Sequence, residues 1–396
     1  MRKIIDLLTL FVLVFTLSAC APIQLSNYSK GNIFSIALQC FFNDESDYLD
    51  KINLYPRLEI KPGLSQTVTG IFGYPDNINP LTGLAVDNTE ILNRRPVLVK
   101  VSNFPPEGRP HAGLSFADIV FEYYIGEWTN RFLAIYYGQD AIQAWPLRSG
   151  RLVDAQLTNM YKGILAYGNA YWEVDDVLMN ILGERAISFN EAPCPAICGE
   201  ATHNATGVYV NTAELSKYAS KIGIDNVKQD VGGMLFSDSI QSPDHFGVWV
   251  AVQYIRWNRG EWFYDIEKQK YVRWIESWNS GKEYPMIPLV DKLTGEQLAF
   301  SNVIIMYANY IEYATTLHDI DIWNNTEGQR AIIFRDGMAI DGYWRTIGED
   351  KPIQFLTKSG LPIPLKPGNT WIVVAGTSSQ LEQPGDGQWR LLFDIP

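Results

Sequence analysis

The chain has 396 residues, 46% of them hydrophobic and 19% charged. That is enough material for about two or three domains, and the balance excludes a disordered, collagen-like or coiled-coil chain. Aromatic residues reach 13%, with 31 Gly and 21 Pro, which favours a strand-rich or α/β chain over a helical bundle. A formal charge of −12 with no local basic stripe argues against nucleic acid as a direct partner.

The N-terminus reads as a secretory leader. Arg2 and Lys3 precede an apolar run from Leu7 to Leu17, the length of a signal h-region and too short for a comfortable membrane span of roughly 20 residues. The run ends Leu17-Ser18-Ala19-Cys20, which resembles a lipobox. The expectation is a signal peptide over 1–19, an acylated Cys20 and an extracytoplasmic protein held to the membrane by its lipid, with no spanning segment. Residues 20–75 read as a lipidated tether. Three cysteines remain, Cys40, Cys194 and Cys198. Outside the cytoplasm a local Cys194–Cys198 disulfide, or two free thiols, fits better than zinc. Zinc needs four ligands, and only His203 lies nearby. No metal or cofactor is expected.

Turn residues from Tyr74-Pro75 to Thr82-Gly83 announce a compact domain. Alternation predicts strands at Pro96–Val101 and at Ile119–Tyr124, and Arg131–Tyr137, RFLAIYY, reads as a third, largely buried strand. A helix is expected from Arg151 to about Leu165. Another is expected over Thr212–Ile222, capped by Asn211 with Glu214 three residues on and closed by Gly223. The stretch 234–242 reads as a linker. Beyond it come aromatic strands at 247–254, 262–264, 271–274, 303–307, 331–334 and 371–374, with a turn at Asp336-Gly337. The fold class is therefore an α/β (α+β) N-terminal domain, 76–240, followed by a β-rich C-terminal domain, 241–396.

Several segments together resemble the YerB-like bacterial lipoproteins, a family of unknown function with N- and C-terminal parts. They are Asn79-Pro80-Leu81-Thr82-Gly83-Leu84, Arg95-Pro96-Val97, Asn103, Arg109-Pro110, Gly113-Leu114-Ser115 and Ala117–Glu122. Arg131–Ile135, Pro146–Arg151 and His203-Asn204 continue the series, and the second half adds Trp262–Asp265, Phe334–Gly337 and Leu365–Trp371. The resemblance spans roughly 78–376. It implies a surface lipoprotein of two domains and brings no activity with it. One departure is Asn324-Asn325-Thr326-Glu327-Gly328, where the family tends to carry a Gly-Ser-Gly turn.

No Gly-x-Ser-x-Gly elbow, His-Glu-x-x-His, P-loop or dinucleotide fingerprint is present, and there are four His. The chemistry-bearing group is instead Asn103, Arg109, Asp118, Glu122, Arg131, Arg148, Ser149 and Arg151, with His203 and Asn204 added by the resemblance. A helix starting at Arg151 would place free N–H groups between two guanidinia, an anion site for carboxylate or phosphate. The alternative is a structural ion network with Asp118, Glu122 or Asp154. Asp118 and Glu122 stand roughly 13 Å apart on one strand face at about 3.3 Å per residue. They miss the roughly 5–5.5 Å or 6.5–9.5 Å that paired glycosidase carboxylates need. A single acid, Glu122, desolvated beside Tyr123 and Tyr124, escapes that requirement; its bland counterpart is neutralisation by Arg131 or Arg148. Trp249, Trp257, Trp262, Trp274 and Trp278 form either a sugar-stacking platform or a core.

Two functions follow. One is a non-catalytic envelope lipoprotein binding peptidoglycan, another envelope ligand or a protein partner. The other is a glycan-cleaving cell-wall enzyme with Glu122 as general acid.

Overall fold

The computed structural model describes residues 69–70, 73–201, 206–239, 243–278 and 283–395. The signal peptide, Cys20, Cys40, most of the tether, His203 and Asn204 lie outside them.

The first half is mixed. Strands β1 (Val97–Ser102), β2 (Ile119–Gly126) and β3 (Thr129–Tyr136) come first, then α1 (Leu152–Met160), β4 (Ile164–Tyr167), α2 (Trp172–Leu182) and β5 (Ala186–Ser188). A small pair, β6 (Ile197–Gly199) and β7 (Val208–Val210), precedes α3 (Thr212–Lys221). The expected helix from Arg151 ends at Met160, five residues early. Lys162 turns at φ +50°, and the apolar Ile164–Tyr167 run becomes a buried strand parallel to β1. Helix α2 was not anticipated, although Val174, Leu178 and Leu182 bury one stripe at i, i+4, i+8. Helix α3 starts as expected, with the Asn211 side chain accepting the N–H of Glu214.

The second half is strand-rich. It runs β8 (His245–Phe246), β9 (Trp249–Ile255), β10 (Asn258–Asp265), β11 (Lys270–Glu276), β12 (Met286–Pro288) and β13 (Ala299–Phe300). Then come β14 (Asn302–Ala314), β15 (Leu317–Asp321), β16 (Gln329–Arg335), β17 (Met338–Arg345) and β18 (Gln354–Leu356). The last three are β19 (Thr370–Gly376), β20 (Gln380–Gly385) and β21 (Gln388–Leu392). The β16–β17 hairpin turns on Asp336 and Gly337, both at positive φ (55° and 71°), the geometry that lets a two-residue loop follow strand twist.

Two sheets hold the body. A twelve-stranded sheet runs β18-β17-β16-β14-β19-β2-β3-β1-β4-β5, with β15 on β14 and β8 on β17. Strands of both sequence halves meet in it where β19 pairs parallel with β2, Thr370 beside Ile119. A seven-stranded sheet runs β12-β11-β10-β9-β21-β20, with β13 on β11. Trp371 of β19 joins the two, lying 5.9 Å from Trp262 of β10, 4.9 Å from Phe132 and 5.0 Å from Phe300. Within 234–242, Met234, Leu235 and Phe236 are buried, and Phe236 bridges Thr69 and Leu365.

Candidate functional site

Strand β2 is buried on both faces, so the alternation of its side chains decides which polar groups meet. Glu122 points with Val120 towards the seven-stranded sheet, and Tyr123 points with Phe121 towards α1.

On the first face Glu122 is enclosed. Its Oε1 accepts the Asn130 amide at 2.5 Å, and its Oε2 accepts the Trp371 indole at 2.8 Å and the Arg273 guanidinium at 3.2 Å. Arg273 is itself fully buried, 3.9 Å over Trp262 and 5.0 Å from Trp371. Burial raises the Glu122 carboxyl above its ordinary range, against the pull of Arg273 and the hydrogen bonds. A second buried pair adjoins it: Arg109 bonds Glu276 at 2.8 Å and the Asn103 carbonyl at 3.0 Å. Asn103 donates to Asn130 at 2.6 Å. Asn103, Arg109 and Glu122 are therefore brought together. The ion partner of Glu122, however, is Arg273, 151 residues away, rather than the expected Arg131 or Arg148, which belong to the other face.

Asp118 stands apart. It accepts the N–H groups of Tyr137 (2.7 Å) and Gly138 (3.0 Å) and the Asn79 amide (2.9 Å). Burial pushes it up to about 6 against those bonds. Its bonding partners are backbone and amide groups, not the arginines expected from the sequence, because Arg94, the nearest guanidinium in effect, binds Asp140 at 2.9 Å.

On the second face lies the cationic group. Lys100 of β1, fully buried, pairs with Asp154 of α1 at 3.1 Å and sits 4.0 Å from the Tyr123 ring. The Tyr123 hydroxyl accepts from Lys100 and donates to the same Asp154 oxygen. The other Asp154 oxygen caps the helix by accepting the N–H of Arg151 at 2.7 Å. Burial holds Lys100 down to about 7, with Asp154 opposing and Arg131 and Arg151 adding to the depression. Arg131 is lowered well below its ordinary value by burial, then by Arg151 and Arg148.

The loops that carry these arginines are fixed by backbone. Arg131 donates to the Ser149 carbonyl at 2.7 Å and Arg151 to the Gly150 carbonyl at 2.8 Å. Gly150 N–H reaches Asn169 at 2.8 Å, and Gly168 N–H reaches Arg148 at 2.8 Å. Glycine at 150 gives this approach room: a Cβ there would lie 2.9 Å from a terminal methyl of Leu178, which would have to shift, and 3.3 Å from the Tyr167 ring. Arg148, Ser149 and Arg151 thus lie at the N-terminus of α1, and Arg131 joins them there from β3.

Sequence reasoning passed over Lys100, Tyr123, Arg273, Glu276 and Trp371. A lysine inside the apolar strand VLVKVS was the available signal for the first. The tryptophans divide. Trp262 is core, while Trp257 and Trp278 pack with Phe104 at 5.6 and 5.9 Å. Trp249 and Trp274 flank exposed Phe263 at 6.4 and 5.9 Å. Cys194 and Cys198 are joined as a disulfide.

Two family models match the chain, the protein of unknown function (DUF3048) N-terminal domain over 81–225 and its C-terminal domain over 250–372. A Bacillus subtilis (strain 168) protein provisionally named lipoprotein YerB is 27% identical over 74% of this chain and 84% of its own. A crystal structure of the YerB protein from Bacillus subtilis superposes with a TM-score of 0.61 at 26% identity, covering 75% of this chain and 96% of the crystallised one.

Proposed function

The chain belongs to the DUF3048 family, and from that membership we propose that it is a lipid-anchored extracytoplasmic lipoprotein. Its role in this reading is to bind an anionic ligand of the cell envelope, without turning it over, at the N-terminus of α1. The observation that carries the reading is a charge imbalance. Lys100, Arg131 and Arg151 share one carboxylate, Asp154, among the described residues that act on them. Arg148 stands close enough to act on Arg131. A carboxylate or phosphate placed there would relieve guanidinium repulsion and meet the positive end of the α1 dipole.

The non-catalytic part of the reading draws on Glu122, whose two oxygens are taken by Asn130, Trp371 and Arg273 in a site with no exposed surface. A general acid must reach the leaving oxygen of its substrate. The anchor draws on the Leu17-Ser18-Ala19-Cys20 sequence and on the lipoprotein name of the Bacillus relative. Among the described residues no helix is long and apolar enough to cross a membrane.

The test uses the full chain. Cys20→Ala is expected to move it from the membrane to the soluble fraction of a bacterial host. In detergent, the wild type should pellet saturably with purified sacculi and release no fragments, and Arg148→Ala should weaken pelleting by about tenfold, the worth of a charge-assisted bond. Soluble fragments from the wild type but not from Glu122→Gln would establish the enzyme instead, and no pelleting at any concentration would end the binding reading.

A further inference from the structure

We propose that the anion taken at this site is carried on a saccharide: an acidic glycan whose carboxylate or phosphate meets the arginines while a sugar ring lies on Trp172 and Tyr171. The inference rests on the anion-binding reading above and adds the identity of the ligand's other half.

The ground for it is the second loop. Residues 168–171 connect β4 to α2, whose first residue is Trp172, and the Gly150–Asn169 and Gly168–Arg148 hydrogen bonds fasten this loop to the one bearing Arg148 and Arg151. Tyr171, the residue before the first turn of α2, is near enough to Arg151 to act on its charge. Tyr171 is 57% exposed and Trp172, next to it, 76%. Trp172 is the most exposed aromatic side chain among the described residues. Trp172 follows Tyr171 directly, three residues beyond the Gly150–Asn169 hydrogen bond, and it leaves most of a flat apolar face open to solvent.

The arginines are built in rather than surface ornaments. Arg131 and Arg151 are 7% and 8% exposed, and the Nε–H of each has no hydrogen-bond partner. Those Nε–H groups are shut off from solvent, so a ligand would meet the outer edges of the two guanidinia, whose Nη1 groups are held by the Ser149 and Gly150 carbonyls. A saccharide matches both parts. Its ring has a C–H face that packs on an aromatic ring, with polar groups around the rim. An acid substituent on that ring presents the two oxygens a guanidinium fork binds. A small free anion would use the arginines and leave Trp172 idle. A nucleoside phosphate would use both, but the lipid-anchored reading places the site outside the cytoplasm.

Calorimetric titration of the full chain in detergent separates these cases. The acidic sugars are an N-acetylmuramic-acid-bearing disaccharide and glucose 6-phosphate. The controls are the methyl ester of that disaccharide, inorganic phosphate and adenosine monophosphate. The acidic sugars are expected to bind at least about tenfold more tightly than the ester or inorganic phosphate. Trp172→Ala should weaken them by about three- to tenfold, the range of one aromatic contact, and leave phosphate binding and the unfolding temperature unchanged. Tyr171→Ala should act in the same direction. Equal binding of phosphate and acidic sugars, untouched by Trp172→Ala, would overturn the saccharide while leaving the anion site standing. Tighter binding of adenosine monophosphate than of either sugar would overturn it in favour of a nucleotide. Absence of binding by every probe, phosphate included, would remove the anion site and this inference together.

Discussion

Arg273→Met tests the account of the inter-sheet core. Methionine keeps an apolar stem over Trp262 and Trp371, which the guanidinium now covers at 3.9 and 5.0 Å, so the change is mainly one of charge. Glu122 then keeps the Asn130 and Trp371 bonds but loses its ion partner at 3.2 Å, with no exposed surface through which water could replace it. Breaking one side of a buried pair costs about 3–5 kcal/mol. With a urea slope of roughly 3 kcal/mol/M, the midpoint should fall by about 1–2 M. The loss depends on pH in a fixed direction. Burial already holds the Glu122 carboxyl above its ordinary range, and without Arg273 it rises further. The folded variant therefore binds a proton that the unfolded chain has released, and its stability falls as pH rises between the unfolded and folded values. Urea unfolding followed by tryptophan fluorescence at pH 5 and pH 8 should show the larger deficit at pH 8. Glu122→Gln/Arg273→Met, with neither charge left, should recover most of it. A deficit below about 1 kcal/mol, an equal deficit at both pH values, or a double variant weaker than the single would refute the reasoning.

On the α1 face, Lys100 held down to about 7 means that the folded chain binds fewer protons than the unfolded one from about pH 7 to 10. The wild type should therefore gain stability with rising pH in that window, and Lys100→Met/Asp154→Asn, which orphans neither charge, should flatten the gain in urea titrations at pH 7 and 9. Removing the Cys194–Cys198 disulfide, which closes a loop of sequence separation 4, with the double Ser variant should cost about 2 kcal/mol on the loop-entropy scale. A lower thermal midpoint with an unchanged circular dichroism spectrum would show it. Asn211→Ala deletes the cap on the Glu214 N–H and should cost about 1 kcal/mol in the same assay.

Elements with their own local signal were legible in the sequence. Strands β1 and β2 follow from alternation, β3 from a continuous apolar run, α3 from its cap and closing glycine, and the β16–β17 turn from Asp336-Gly337. The errors lay where one pattern suits two structures. Ile164–Tyr167 is a four-residue apolar run that continues a helical stripe as readily as it forms a parallel strand, and only the sheet decides. At the site, the gathering of Arg148, Ser149 and Arg151 was local and legible, since seven residues of one loop and helix hold it. The partner of Glu122 was not. Arg273 and Trp371 reach it from β11 and β19, and nothing in the spacing of Asp118, Glu122 and Arg131 reports a contact made across 151 or 249 residues.

The two faces of β2 carry a consequence for function. Glu122 and Tyr123 are neighbours in sequence, yet one is held by residues of the second half and the other by β1 and α1. The Glu122 cluster ties the two sequence halves together, because losing Arg273 or Trp371 unpairs a carboxylate rooted in the first half. The cationic cluster, by contrast, draws every described member, Lys100 to Trp172, from the first half. Stability and ligand affinity should therefore be separable: Arg273→Met should lower the first and spare the second, and Arg148→Ala the reverse. Variants at the two clusters should combine additively within about 0.5 kcal/mol, as distant sites with no shared partner do. A shared penalty would mean that Arg131 and its strand neighbours Asn130 and Phe132, which face opposite sides of β3, transmit strain from one cluster to the other.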